Sequence, residues 1–266
     1  MVFKNLFSLI FINCVFIILP GHLAASTLEL QVGAAASLQD VLQDAGKAWL
    51  KNTGIKAKIN YNFAGTSTLV RQVKWGAPLD IFIGASKKNT DEIIKSQLSV
   101  KESLRDLASN HLVLISSISE DTKNLDLNNI AKHQASKIAT CDEAVPIGFY
   151  THSYLRKVGL YKRLQPKFVY TDNARSILSM VANKTVPYGF VYLTDALTET
   201  NKVKVVQEVS PLDHAPIKYL GLALARSKAP IQKLAVIFLD FLASPEGQKI
   251  FSKHGFKKAG SQIATR

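Results

Sequence analysis

Short apolar runs alternate with amphipathic stretches along almost the whole chain, and that alternation leaves few folds open. Leu28 to Val32 reads as a strand and Leu38 to Lys51 as a helix. Lys56 to Phe63 is a second strand, Thr68 to Lys74 a helix, Leu79 to Gly84 a strand and Lys87 to Gln97 a helix. Short loops between such units make a parallel sheet with right-handed crossovers the economical topology. A second α/β unit starts near His111, with strands over His111 to Ser116, Lys137 to Thr140, Phe168 to Tyr170 and Tyr188 to Leu193. Pro146 suits the first position of a helix that carries Tyr150, Tyr154, Leu155 and Val158. Asp172 or Asn173 caps a helix over Ala174 to Asn183. Lys218 to Ala225 is one more strand, Lys233 to Leu242 an amphipathic helix, and Ser244-Pro245-Glu246-Gly247 restarts a helix that runs through Ser252. With no repeat and no Pro/Ser-rich linker, two lobes joined by strand-like crossings near Ala108 and Ser210 to Ile217 fit better than two separate beads. The expected division is a signal peptide over 1–26, a first lobe over 27–108 plus 216–266, and a second over 109–215.

The most pointed local signals sit at two helix starts. Gly33-Ala34-Ala35-Ala36-Ser37 joins the first strand to the first helix, and Ser37 stands where an N-cap belongs. Phe63-Ala64-Gly65-Thr66-Ser67 repeats the arrangement at the next helix. Helix starts carry unpaired N–H groups and partial positive charge, so together they suggest a seat for a small oxyanion. Each residue also has a plainer reading: Ser37 as an ordinary cap, Thr66 and Ser67 as turn residues, Tyr192 as strand core.

The N-terminus reads as a secretory signal. Lys4 precedes the apolar run Leu6 to Leu19, and Ala24-Ala25-Ser26 offers small residues for cleavage. The run is shorter than the roughly 20 residues that span a bilayer. Cys14 leaves with it, so the mature chain keeps one cysteine, Cys141, and folds without an intramolecular disulfide. Export without disulfides indicates a bacterial periplasm. The net charge of +13 is spread over scattered Lys and Arg residues with no basic run, which argues against a nucleic-acid partner. The histidines show no metal-ligand spacing, and there is no Gly-x-Ser-x-Gly elbow, P-loop or dinucleotide fingerprint. Asp80, at the start of a strand bounded by Pro78, reads as structural; Trp49 and Trp75 read as packing residues.

An ordered set of strings carries a family resemblance: Ala34-Ala35-Ala36-Ser37-Leu38, Phe63-Ala64-Gly65-Thr66-Ser67-Thr68-Leu69 and Gly76-Ala77-Pro78-Leu79-Asp80-Ile81-Phe82-Ile83. Val145-Pro146-Ile147-Gly148, Tyr188-Gly189-Phe190-Val191-Tyr192 with Asp195-Ala196, and the tail Ile250-Phe251 with Gly255-Phe256 follow in order. Across the whole mature chain the sequence resembles the periplasmic molybdate-binding proteins of ABC importers. The resemblance implies a type II periplasmic-binding fold, two α/β lobes of mainly parallel sheet with the anion in the cleft. It implies hydroxyl and N–H donors from Ser37 and Thr66, N–H donors from Ile147 and Ala174, and the phenol of Tyr192. The family often has serine where Thr66 stands and a small residue where Ile147 stands; Thr66 keeps the hydroxyl, and Ile147 keeps the N–H while adding bulk. Cys141 receives no role.

The expected function is therefore a carrier and not an enzyme. It would capture molybdate or tungstate, close, and hand the ion to a membrane permease, acting as a monomer with no cofactor and with molybdenum held only as the oxyanion. A site of donors without a carboxylate suits a dianion that only accepts hydrogen bonds. Sulfate or another tetrahedral oxyanion is the alternative cargo. An exported hydrolase using Ser37 is the alternative from another class, though no motif supplies its histidine.

Overall fold

The computed structural model describes residues 28–121, 126–133 and 136–260; the proposed signal peptide lies outside them. In chain order the first half contains β1 (Leu28–Ala35), α1 (Gln39–Thr53), β2 (Ala57–Ala64), α2 (Thr66–Lys74), β3 (Ile81–Gly84), α3 (Lys87–Lys95) and β4 (Arg105–Ser109). Then come β5 (Leu112–Ser117), α4 (Leu127–Lys132), β6 (Ile138–Cys141), α5 (Pro146–Lys157), α6 (Tyr161–Leu164), β7 (Phe168–Thr171), α7 (Ala174–Ala182), β8 (Tyr188–Tyr192), α8 (Leu193–Ala196) and β9 (Val203–Glu208). The chain closes with β10 (Lys218–Ala223), α9 (Ala229–Ala243) and α10 (Pro245–Lys253).

Two five-stranded sheets result, ordered β2-β1-β3-β10-β4 and β7-β6-β8-β5-β9. The chain passes from the first to the second between β4 and β5 and returns between β9 and β10. Both sheets are more mixed than the run of βαβ units suggests. β1 pairs parallel with β2 and β3, but β10 runs antiparallel to β3 and β4. Likewise β6 pairs parallel with β7 and β8, while β5 runs antiparallel to β8 and β9. In each sheet the strand that runs against its neighbours, β5 or β10, is the first strand after the chain has crossed from the other sheet.

Packing follows the apolar spacing. α1 buries Val41, Leu42, Ala45 and Trp49, and the Trp49 ring meets Phe238 of α9 at 5.0 Å. Gly54 ends α1 in the left-handed region at φ 67°, returning its N–H to Leu50 O, a conformation that glycine adopts without Cβ strain. α2 and α3 pack through a second cluster of Leu69, Val70, Val73 and Ile93 with Phe82 and Leu222. In the second lobe Asn173 caps α7 by accepting the Ser176 N–H, and Pro146 opens α5. Asp80 is structural as expected: its carboxylate accepts the Gln31 N–H at 2.7 Å and the Ser227 hydroxyl, tying the start of β3 to its neighbours. Trp49 packs as expected, but Trp75 does not. It is 83% exposed, because α2 ends at Lys74 and Gly76 turns away at φ 89°.

Candidate functional site

Strands β1, β2 and β8 end at one place, where helix starts from both lobes converge around a small cavity. All five residues expected to hold an oxyanion line it: Ser37, Thr66, Ile147, Ala174 and Tyr192. Among the described residues that line it, none is acidic or basic. Its volume is about 20 Å³, a little above the roughly 10–15 Å³ that one water needs, so the seat is small.

The first lobe brings two hydroxyls. Ser37 is not the helix cap that its position suggests. β1 continues to Ala35, a 3-10 turn over Ala36–Leu38 follows, and the N-cap of α1 is Leu38, which makes no side-chain cap bond. The Ser37 hydroxyl instead meets the Tyr219 hydroxyl at 2.9 Å. Thr66 is the first residue of α2, after Gly65 in extended conformation. Its Oγ1 accepts the Ala85 N–H at 3.2 Å, which fixes the rotamer and leaves its proton to donate elsewhere. Both residues are buried.

The second lobe brings backbone donors and a phenol. Pro146 has no N–H, so Ile147 provides the first donor of α5. At α7 the Asn173 side chain takes the Ser176 N–H, and the Ala174 N–H is a first-turn group that this cap does not use. Gly148 lets α5 start this close to β6: a Cβ there would lie 2.1 Å from Asp142 O and 2.4 Å from Cys141 O. Cys141 itself is buried at the end of β6, its thiol pushed up by burial. Tyr192 ends β8, is buried, and its hydroxyl has no hydrogen-bond partner among the described residues. Burial, reinforced by Tyr219, Tyr150 and Asp195, holds its pKa well above the tyrosine range, so the phenol keeps its proton.

The lobes meet around the cavity. Ser67 donates to Ala144 O, and the Tyr150 hydroxyl donates to Ala85 O at 3.2 Å. Gly65 packs on the second lobe so closely that a Cβ would sit 2.4 Å from Asp172 O. Arg175 reaches from α7 to Asp40 of α1, and to Asp195 at 2.7 Å. Sequence reasoning missed Tyr219, which it read only as part of a strand, and Asn110, whose amide reaches Tyr219. Neither has a local signature, since Tyr219 lies 182 residues from Ser37 and 109 from Asn110. Among the described residues no cluster of three His, Cys, Asp or Glu could hold a metal ion, and no helix is long and apolar enough to cross a membrane.

Comparison with known proteins gives the family and the fold. The family model described as bacterial extracellular solute-binding protein matches residues 30–257. The molybdate-binding protein of Haemophilus influenzae is 32% identical, with 89% of this chain and 92% of that one aligned. The molybdate-binding protein of Escherichia coli is 30% identical over 89% of this chain and 91% of that one. The periplasmic molybdate-binding protein of Azotobacter vinelandii superposes with a TM-score of 0.75 at 19% identity, covering 85% of this chain and 98% of that one, which speaks for the fold.

Proposed function

The chain belongs to the bacterial extracellular solute-binding protein family, and from that premise we propose that it captures molybdate or tungstate between its lobes. The family is a component of transport and not an enzyme, with a solute and a membrane permease as partners. In this reading the chain is exported through a cleaved signal peptide over 1–26 and acts as a periplasmic monomer. The ion lies between a first lobe over 27–108 plus 216–266 and a second over 109–215, and passes to an ABC permease.

The observation that carries the reading is the cavity's chemistry. Donors from three helix starts, a 3-10 turn and a strand end line it with no carboxylate among the described lining residues, and a buried phenol there has no partner among the described residues. Ser37, Thr66 and Tyr192 donate from hydroxyls, Ile147 and Ala174 from backbone N–H groups. Neutral donors at helix starts stabilise a dianion without the desolvation that a buried lysine or arginine would suffer. Because the donors divide between the lobes, only the closed form completes the shell, and the anion binds that form better.

Calorimetric titration of the mature protein with molybdate, tungstate, sulfate and phosphate tests the proposal. Molybdate and tungstate are expected to bind far more tightly than sulfate, and phosphate weakest. Sulfate has the same acceptors on shorter bonds, so equal sulfate binding would show that cavity size does not select, and would overturn the assignment.

A further inference from the structure

We propose that Asn110 and Tyr219 fix the direction in which the Ser37 hydroxyl donates, and thereby set the site against oxyanions that carry a proton. The inference rests on the reading of Ser37 as a ligand donor. A backbone N–H can only donate, so the Asn110 atom that the His111 N–H meets at 2.9 Å is the carbonyl oxygen. The amide nitrogen is turned to the other side, where it donates to Thr194 Oγ1 at 2.8 Å and to Tyr219 Oη at 3.2 Å. With Oη accepting from Asn110, the phenol proton goes to its other neighbour, Ser37 Oγ at 2.9 Å. Ser37 Oγ accepts that proton, and its own proton is left for the cavity that Ser37 lines. Burial keeps the Tyr219 phenol protonated, so the order of donors does not reverse.

Three groups in a row therefore point their protons one way, from the first interlobe crossing to the cavity. Molybdate, tungstate and sulfate accept at every oxygen and match a proton presented there. Phosphate near neutral pH carries at least one proton and needs an acceptor. Ser37 Oγ already accepts from Tyr219 on one of its two lone pairs, and with its own proton turned to the cavity it meets such a ligand as a donor. Asn110 and Tyr219 touch no ligand in this arrangement; they are positioning residues for specificity.

Tyr219→Phe tests this, because it keeps the ring and its edge contacts with Tyr192 and Phe256 while removing the proton given to Ser37. Titrations with molybdate, sulfate and phosphate at one pH and ionic strength are the readout. Molybdate and sulfate affinities should fall together, by about tenfold for a weakened bond to a charged acceptor. Phosphate affinity should hold or rise, so the molybdate-to-phosphate ratio narrows by at least about tenfold while the molybdate-to-sulfate ratio stays. A general loosening would weaken all three anions alike. Asn110→Leu removes the donor that orients Tyr219 and should narrow the same ratio by less. If variants with normal melting keep the wild-type ratios, or lose all three anions equally, the relay is wrong while the site stands. Unchanged molybdate binding in Ser37→Ala would overturn the site and the relay together.

Discussion

Ser37 and Thr66 come to the cavity with their hydroxyls already engaged inside the first lobe, one with Tyr219 and the other with the Ala85 N–H. Tyr192 comes from the second lobe with a buried hydroxyl that has no partner among the described residues, beside two helix starts that donate through the backbone. Each first-lobe hydroxyl has one partner within the fold and keeps a proton to give; the Tyr192 hydroxyl has none among the described residues. A buried, unmade hydrogen bond costs roughly 1–3 kcal/mol, so the second lobe has more to gain from an anion than the first. The asymmetry suits a binder that must close, since the gain arises only when the lobes come together.

The sharpest way to break the comparison is at two glycines. Gly65→Ala adds a methyl that would meet the Asp172 carbonyl oxygen across the cleft, while its φ of −61° suits any residue. It should leave melting of the unliganded protein within about 0.5 kcal/mol and weaken molybdate binding by about 2–3 kcal/mol, near a hundredfold, through overpacking of the closed form. Gly148→Ala places its methyl against backbone within the second lobe, so its cost should fall on stability, on the order of 1–3 kcal/mol in denaturant titration. If Gly65→Ala binds as the wild type does, the lobes do not close as described.

Next in size is the pair of hydroxyl deletions. Tyr192→Phe and Ser37→Ala should each weaken molybdate binding by about 1.5–3 kcal/mol, the range for hydrogen bonds to a charged group. Their effects on the unliganded protein should have opposite signs. Tyr192→Phe removes a buried group without a partner and should raise stability by about 1 kcal/mol. Ser37→Ala takes the acceptor from Tyr219 and should lower it by about 1–3 kcal/mol. Thermal melts without ligand decide this; stabilities that move the same way would erase the proposed difference between lobes.

Asp195 sharpens the comparison through pH. Burial holds its carboxyl up at about 6 against the pull of Arg175. The unfolded value is near 4, so between about pH 4 and pH 6 the folded chain binds the extra proton. Stability from this group is fully present below that window and is lost as pH rises through it, on the order of 3 kcal/mol. Asp195→Asn should lack that slope in denaturant titrations across the window. The smallest effect belongs to the interlobe pair of Arg175 with Asp40, both partly exposed. Asp40→Asn should weaken molybdate binding by about 0.5 kcal/mol at low salt, and the difference should vanish as salt is raised.

What could be read from the sequence follows the same division. The first-lobe hydroxyls stood out because serine and threonine at a strand-to-helix turn are distinctive. Ile147 and Ala174 could be named only by resemblance, since any residue offers an N–H. The strands around the site were legible as apolar runs. β4 and β9 were not, and both are edge strands whose polar patterning, Arg105-Asp106 and Lys204 with Gln207-Glu208, blurs the apolar signal. Ser37 was misplaced as a cap because how far β1 runs on is decided by its pairing with β2, up to Ala35 opposite Ala64. Trp75 was misread because a large apolar residue says nothing about where its helix stops.

The place of β10 bears on the order in which the molecule can be completed. It lies between β3 and β4 in the first sheet, yet it is made after every strand of the second. A chain emerging N-terminus first can finish the second sheet once Glu208 is available, but the first keeps an open slot until Lys218–Ala223 arrives. The half that begins synthesis is therefore the last to close, and until then β3 and β4 have no strand between them to hold them in one sheet. In the proposed export, a sheet that waits for its own C-terminal strand would keep the leading half threadable until the chain has crossed.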